Sequence, residues 1–142
     1  MAADDRLIYL ISKAQHCLKV YLKKAFAAEG LDLTPVQAGI LFMLKEAPQS
    51  MTQLSRLLAI DNSAITGLVD RLEKVDLAQR RPDPADRRTW LIHITDNGRK
   101  EIDRALVIVR RVNSQIKEGF SADEITVFKT VLTRFFDKFS KE

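Results

Sequence analysis

Four arginines between residues 80 and 88 are the side chains whose chemistry is easiest to infer. Arg80 and Arg81 end one short segment, and Arg87 and Arg88 end the proline- and aspartate-containing stretch that leads into the next. A guanidinium is permanently charged and presents a planar fork of donors, so it suits phosphate oxygens or a narrow, electronegative minor groove. The spacing therefore predicts a cationic hairpin that contacts nucleic acid, with Arg81, Arg87 and Arg88 as contacting side chains.

The segment before these arginines predicts a helix with one apolar and one polar face. Ile65, Leu68, Val69 and Leu72 follow the i, i+3, i+4, i+7 spacing that places side chains on one side of a helix. Hydroxyl and amide groups on the other side suit base edges in the major groove, and basic groups suit phosphates. The DNA contacts predicted on this helix are Asn62, Ser63, Thr66, Gly67, Asp70, Arg71 and Lys74.

A shorter helix and two short strands complete this unit. Leu54, Leu57 and Leu58 predict the surface that packs against the polar-faced helix, and Ser50, Thr52 and Gln53 at the start of the shorter helix are further predicted DNA contacts. Residues 77–81 and 89–94 predict strands, and the alternation of Trp90 with Ile92 and Ile94 places Trp90 in the core of the hairpin. A helical hairpin inside an all-α domain would explain the two helices alone, but the arginine-bearing strands favour a winged helix-turn-helix.

The flanking segments predict four more helices, so the fold class is mainly α with a small β-wing. Residues 6 to about 28 form a wide apolar stripe, and Thr34, Ser50 and Ser121 each begin a capping box. Asp61 or Asn62 is expected to cap the polar-faced helix, and Thr95 a long helix that ends near residue 117. The apolar stripes at the two ends of the chain could pack on each other in a monomer. A dimer is favoured, because it presents two copies of the polar-faced helix, the recognition helix, one DNA turn apart.

Composition sets further bounds on the class of protein. The 142 residues suit a single domain, and the net charge of +4 permits nucleic-acid binding. The acidic start of the chain and the lack of a long apolar run favour neither export nor a membrane, and the single cysteine, Cys17, fits a reducing cytoplasm. No nucleophile–base pair, paired carboxylates or metal-ligand spacing is present, so neither an enzyme nor a metal or cofactor site is expected.

Residues 68–74, 81–88 and 91–95, followed by Gly98, resemble the MarR family of bacterial transcriptional regulators. The resemblance is tight from about residue 50 to 98 and consistent in helix order along the chain. Two positions depart from the family pattern. Asp76 stands where glycine is usual after the recognition helix, and aspartate tolerates the left-handed backbone of such a cap. Gly67 stands where a larger, often basic residue is common, which removes a side chain from the reading face.

The resemblance implies a cytoplasmic, homodimeric repressor that binds double-stranded DNA at a pseudo-palindromic operator. It implies one domain over residues 1–142, with dimerisation helices at 1–33 and 100–142 around a DNA-binding region at 34–99. It further implies release from the operator by a small molecule, such as a phenolic or aromatic carboxylate compound. The candidate effector residues are Lys13, His16, Tyr21 and Phe42.

Several alternatives remain open at this stage. A regulator without an effector and a winged-helix protein-interaction module both fit the sequence pattern. Cys17 could be a redox sensor, but its place on the apolar stripe favours a buried structural residue. Arg88 could pair with Asp86, contact DNA, or do both.

Overall fold

The chain folds into six helices and one two-stranded antiparallel sheet over residues 6–140, the part that the computed structural model describes. This confirms the predicted mainly α class with a small β-wing. None of the helices in these residues is long and apolar enough to cross a bilayer. In chain order the elements are α1 (Leu7–Ala28), α2 (Pro35–Glu46), α3 (Met51–Leu58), α4 (Asn62–Lys74), β1 (Ala78–Pro82), β2 (Trp90–Ile94), α5 (Asp96–Lys117) and α6 (Ala122–Phe139).

The helix starts follow the predicted caps with one difference. In three helices the hydroxyl of the N-cap residue accepts a hydrogen bond from a backbone N–H three residues later, and that later side chain accepts one in return. These capping boxes are Thr34–Gln37, Ser50–Gln53 and Ser121–Glu124. At α5 the Thr95 hydroxyl accepts from the N–H of Gly98 at 3.0 Å. Asp61 occupies the N-cap of α4, but its side chain makes no capping hydrogen bond.

The hairpin extends a small sheet that also includes the α2–α3 connection. Ala78 pairs with Ile94 at one end of the ladder and Pro82 with Trp90 at the other. On the other edge of β2, Ile92 exchanges both backbone hydrogen bonds with Gln49, at 2.7 and 3.1 Å. Ile92 is fully buried, so the base of the hairpin is fixed in the core while its tip extends beyond it.

The chain separates into two compact units, Met1–Ile108 and Val109–Glu142. The first contains the main core, in which Phe26 is the buried residue of α1. Arg104 of α5 donates to the carbonyl of Glu29 at 2.6 Å, and Asp103 pairs with Lys45 of α2. The largest fully buried side chains are Phe26, Leu31, Ile40, Leu41, Leu44, Leu54, Ile65, Val69, Leu72, Ile92 and Ile102.

Three burial predictions are wrong. Trp90 was expected in the wing core but is 52% exposed, because it lies two residues beyond Ile92, toward the tip. Leu57 was expected to pack against α4 but is exposed, whereas Leu54 on the same helix is fully buried. Cys17 was expected to be buried and is exposed. The reason is common to all three: an apolar stripe is buried only where another element covers it.

Candidate nucleic-acid interface

Arg80 connects the wing to the last turns of α4. Its Nη2 donates to Asp70 Oδ1 at 2.7 Å, and its Nη1 pairs with Glu73 Oε1. The backbone N–H of Arg80 also points at the Glu73 carboxylate, 3.4 Å from Oε2. The Arg80 and Glu73 side chains are 28% and 30% exposed, so the bond between them is shielded from water better than an ordinary surface pair, whereas the Asp70 side chain is 51% exposed. The angle between recognition helix and wing is therefore fixed by side chains as well as by the connecting turn.

This brace was not predicted from the sequence. Asp70 was assigned to the face that reads DNA, and the structure gives its carboxylate a cationic partner instead. Its assignment as a DNA contact stays a prediction. A usable signal was present, since Asp70 and Glu73 are three residues apart and share a helix face. The position of Arg80 opposite these two carboxylates could not be predicted, because it depends on how the wing strands pack beside α4.

The wing tip is an ordered turn whose carboxylates are used internally. Asp83 Oδ1 accepts from the N–H of Ala85 at 2.9 Å, and Asp86 Oδ1 accepts from the N–H of Arg88 at 3.1 Å. The Arg88 side chain is 97% exposed, and its Nε lies 3.8 Å from Asp86 Oδ1. A pair this exposed contributes little to stability. Arg88 therefore pairs loosely with Asp86 and keeps its guanidinium available to an anion.

The outward face of α4 carries small polar side chains and is open around Gly67. Asn62, Ser63 and Thr66 are exposed, while Ile65, Val69 and Leu72 are buried beneath them. The Thr66 hydroxyl donates to the carbonyl of Asn62 at 2.9 Å, which leaves its oxygen lone pairs and methyl group outward. A side chain added at Gly67 would meet no atom within 4 Å. Arg71 and Lys74, the predicted phosphate contacts, are exposed on the same helix.

Two of the three predicted contacts at the start of α3 are engaged in its capping box. Ser50 and Gln53 satisfy each other in the capping box, at 3.2 and 2.8 Å. Thr52, between them, is exposed. Of the three predicted contacts on this helix, Thr52 is thus the one whose side chain has no part in that capping box.

The turn from α4 into the wing requires left-handed backbone, and Asp76 adopts it with φ of 58°. Its carboxylate accepts from Asn97 Nδ2 at 2.8 Å and its carbonyl from the Thr95 hydroxyl at 2.6 Å. These bonds stabilise a conformation that costs a non-glycine residue free energy. The departure from glycine at this position leaves the turn intact, as predicted.

The charge of the wing comes from arginine rather than histidine. The pKa of His93 on β2 is lowered from its ordinary value by partial burial and, next, by the positive charge of Arg81. His93 is therefore neutral at neutral pH, and Arg81, Arg87 and Arg88 supply the positive charge of the exposed hairpin.

The four candidate effector residues lie on α1 and α2 and are all exposed. Lys13 Nζ lies 5.7 Å from the centroid of the Tyr9 ring, a cation–π contact within α1. Within residues 6–140 no group of three or more His, Cys, Asp or Glu side chains could hold a metal ion. A separate polar cleft of about 330 Å³ lies at the base of the wing, lined by Asp76, Gln79, Arg81, Ile94, Thr95, Asp96 and Asn97.

Two packed helices with a polar outer face, braced to a hairpin that ends in exposed arginines, define a winged helix-turn-helix DNA-binding protein. Comparison with known proteins agrees. A model of the MarR family matches residues 31–89. A probable transcriptional regulator from Pseudomonas aeruginosa is 32% identical, with a TM-score of 0.84 over 93% of this chain and 98% of that one. The chain belongs to the MarR family of transcriptional regulators, whose members are not enzymes.

Two further relatives are informative because of what their names state. The helix-turn-helix-type transcriptional repressor NicR of Pseudomonas putida is 29% identical over 106 residues, 74% of this chain and 67% of NicR. The PcaV transcriptional regulator of Streptomyces coelicolor, solved in complex with its natural ligand, is 26% identical. Its TM-score is 0.81, over 96% of this chain and 98% of that one.

Proposed function

We propose that this protein is a homodimeric repressor that occupies a pseudo-palindromic operator and releases it when a small aromatic carboxylate or phenolic molecule binds. The observation that carries the proposal is the brace from Arg80 to Asp70 and Glu73. It makes α4 and the wing one preorganised surface, so little ordering is required when DNA binds. The repressor relative supports the direction of regulation, and the ligand-bound relative supports an effector.

Within this proposal the two parts of the surface have different tasks. Asn62, Ser63 and Thr66 lie on the small-residue face that reads base edges, with Gly67 leaving room for close approach. Arg71, Lys74, Arg81, Arg87 and Arg88 bind phosphates or the minor groove. At the start of α3, Ser50, Thr52 and Gln53 contact the DNA backbone. Asp70 holds Arg80 in place, in addition to its predicted contact with DNA.

Exposed apolar surface supports the dimer. Exposed large apolar side chains are frequent along α1, and no residue of α6 is buried. Monomeric proteins rarely expose large apolar patches to water. On α6 the exposed large apolar residues are Val127, Phe128, Val131, Phe136 and Phe139. A second copy of the chain would cover such faces symmetrically, with residues 1–33 and 100–142 supplying the dimerisation helices around a DNA-binding region at 34–99.

Phe136→Glu is expected to raise the dimer dissociation constant on the order of 100-fold, because an interface would bury the new charge. Phe136 is 64% exposed in the single chain, so the substitution should leave each chain folded. Sedimentation equilibrium of wild type and variant measures the change. A duplex selected from a random library by the wild type should contain two half-sites about one turn apart. The variant should no longer prefer this duplex.

Val75→Glu is the matched control, since Val75 is 62% exposed but lies at the end of α4. It should leave the dimer unchanged. A wild-type chain that sediments as a folded monomer and binds DNA in that form would contradict the proposal. A wild-type dimer with no salt-dependent affinity for any duplex would indicate a winged-helix protein-interaction module instead.

Hydroxybenzoates are expected to lower the DNA affinity of the wild-type dimer by about 5- to 150-fold, the usual range of coupling between sites. Lys13→Ala should weaken this response without changing affinity in the absence of ligand, because a cation at this position would pair with the carboxylate. Lys24→Ala, another exposed lysine of α1, is the control. Fluorescence anisotropy of a labelled duplex gives both affinities. DNA affinity that no ligand of this class changes would identify a regulator without such an effector.

A further inference from the structure

Trp90 is the one tryptophan of the chain, and the fold leaves half of it in water. It begins β2, directly opposite Pro82 on β1. Burying an indole contributes a large free energy, so the exposed face of Trp90 offers a partner a substantial apolar contact. The question is which partner the surroundings favour.

The strand register places Trp90 on the side of the wing that faces the recognition helix. Side chains alternate along a strand, so Trp90 shares its face with Ile92, and the opposed residues Pro82 and Arg80 share it too. Ile92 is fully buried, and Arg80 contacts α4 through Asp70 and Glu73. The indole and the proline ring therefore lie on the face of the hairpin that Arg80 connects to α4. They form the next cross-strand pair on that face, nearer the tip.

The charge around this apolar pair is positive. Arg87 and Arg88 lie at the tip, just before Trp90 in the chain, whereas alternation places Arg81, which pairs with Leu91, on the opposite face. The nearby acidic groups, Asp83 and Asp86, accept hydrogen bonds inside the turn. An apolar plane next to the exposed arginines of the wing tip is complementary to a DNA strand, which offers apolar deoxyribose faces between phosphates. An apolar protein partner would leave those guanidinium groups desolvated and unpaired.

We propose that Trp90, supported by Pro82, packs against deoxyribose rings of the DNA strand that lies beside the wing. The contact adds apolar burial to the charge contacts of the wing arginines and tolerates any base sequence, since every nucleotide presents a sugar. The inference rests on the proposed DNA-binding role of the wing. It adds an uncharged DNA contact that differs physically from the arginine contacts.

The test uses the full-length dimer and a mixed-sequence duplex of about 40 base pairs, long enough for two half-sites one turn apart. Trp90→Ala is expected to weaken binding on the order of tenfold. The slope of log affinity against log salt should stay unchanged, because the variant releases as many counterions as the wild type. Trp90→Phe should retain most of the affinity. Because Trp90 is the only tryptophan, its emission in the wild type should change as duplex is added and saturate with binding.

Three results would overturn the contact. The first is a Trp90→Ala variant that binds as tightly as wild type, with wild-type emission unaffected by saturating duplex. The second is wild-type emission that changes with protein concentration instead of DNA, which would mean that a second copy covers the indole. The third is a thermal midpoint for Trp90→Ala well below that of Trp90→Phe, with equal DNA affinity for the folded fraction, which would make the role structural. A wild type that binds no duplex at all would overturn the proposed function together with this contact.

Discussion

Replacing both Arg87 and Arg88 with alanine is expected to weaken binding to most duplexes alike, on the order of 100-fold near physiological salt. A dimer loses four guanidinium groups in this variant, and each group that neutralises a phosphate releases a counterion on binding. The slope of log affinity against log salt should therefore become shallower by about 0.9 for each phosphate that is no longer neutralised. Filter binding or anisotropy across a salt series measures both quantities.

The variant should remain folded, because the tip turn depends on backbone donors. Asp86 Oδ1 accepts from the N–H of Arg88, and the carbonyl of Asp86 accepts from the N–H of Thr89 at 2.9 Å. Replacing both arginines with lysine keeps the charge and should restore the slope. Thr66→Ala is the contrasting variant, since a change on the reading face should alter which sequence is preferred and leave the slope alone. Unchanged slope and affinity in the double alanine variant would remove the wing from the interface.

Gly98→Ala is expected to lower the free energy of unfolding by about 1–3 kcal/mol or more, the range for overpacking a close contact. A Cβ at this position would lie 2.1 Å from the carbonyl oxygen of Leu77 and 2.7 Å from Ile94 Cγ1. The first atom belongs to backbone and cannot rotate away. The first turn of α5 must therefore separate from the base of the wing, where Thr95 donates its N–H to the same Leu77 carbonyl at 3.1 Å.

Gly67→Ala is a matched control with the opposite sign. Gly67 lies inside α4, and a Cβ there meets no atom within 4 Å. Helix propensity alone should then raise the stability by about 0.8–1 kcal/mol. Urea unfolding at one fixed protein concentration compares the two variants, because the proposed dimerisation would make stability depend on concentration. Equal midpoints for Gly98→Ala and wild type would show that the contact between α5 and the wing base relaxes without cost.

The comparison of Gly98 and Gly67 illustrates what the sequence leaves open. Both are glycines beside a recognisable motif, and neither composition nor periodicity distinguishes them. Gly98 is restricted by a carbonyl 21 residues earlier in the chain, whereas Gly67 faces open space. Only the packing of α5 on the wing base separates the two positions.

The features that the sequence determined are those encoded within a few residues. The capping boxes at Thr34, Ser50 and Ser121 connect groups three residues apart, so their residue types suffice to predict them. The order of helices and the arginine-bearing hairpin follow from periods of 3.6 and 2 in the apolar residues. The left-handed turn at Asp76 was expected from the resemblance, since glycine is usual at this position and aspartate tolerates the conformation.

The tertiary structure decided which faces are covered and which charges meet. Arg80 pairs with Glu73 and Asp70, which are 7 and 10 positions earlier in the chain, because the sharp turn and the strand register bring all three side chains together. Alternation put Trp90 and Ile92 on one face, but Ile92 is buried and Trp90 is exposed. The physical reason is that periodicity fixes the direction of a side chain relative to its own element. Burial and ion pairing depend on whether a second element packs against that side chain, which is a property of the whole fold.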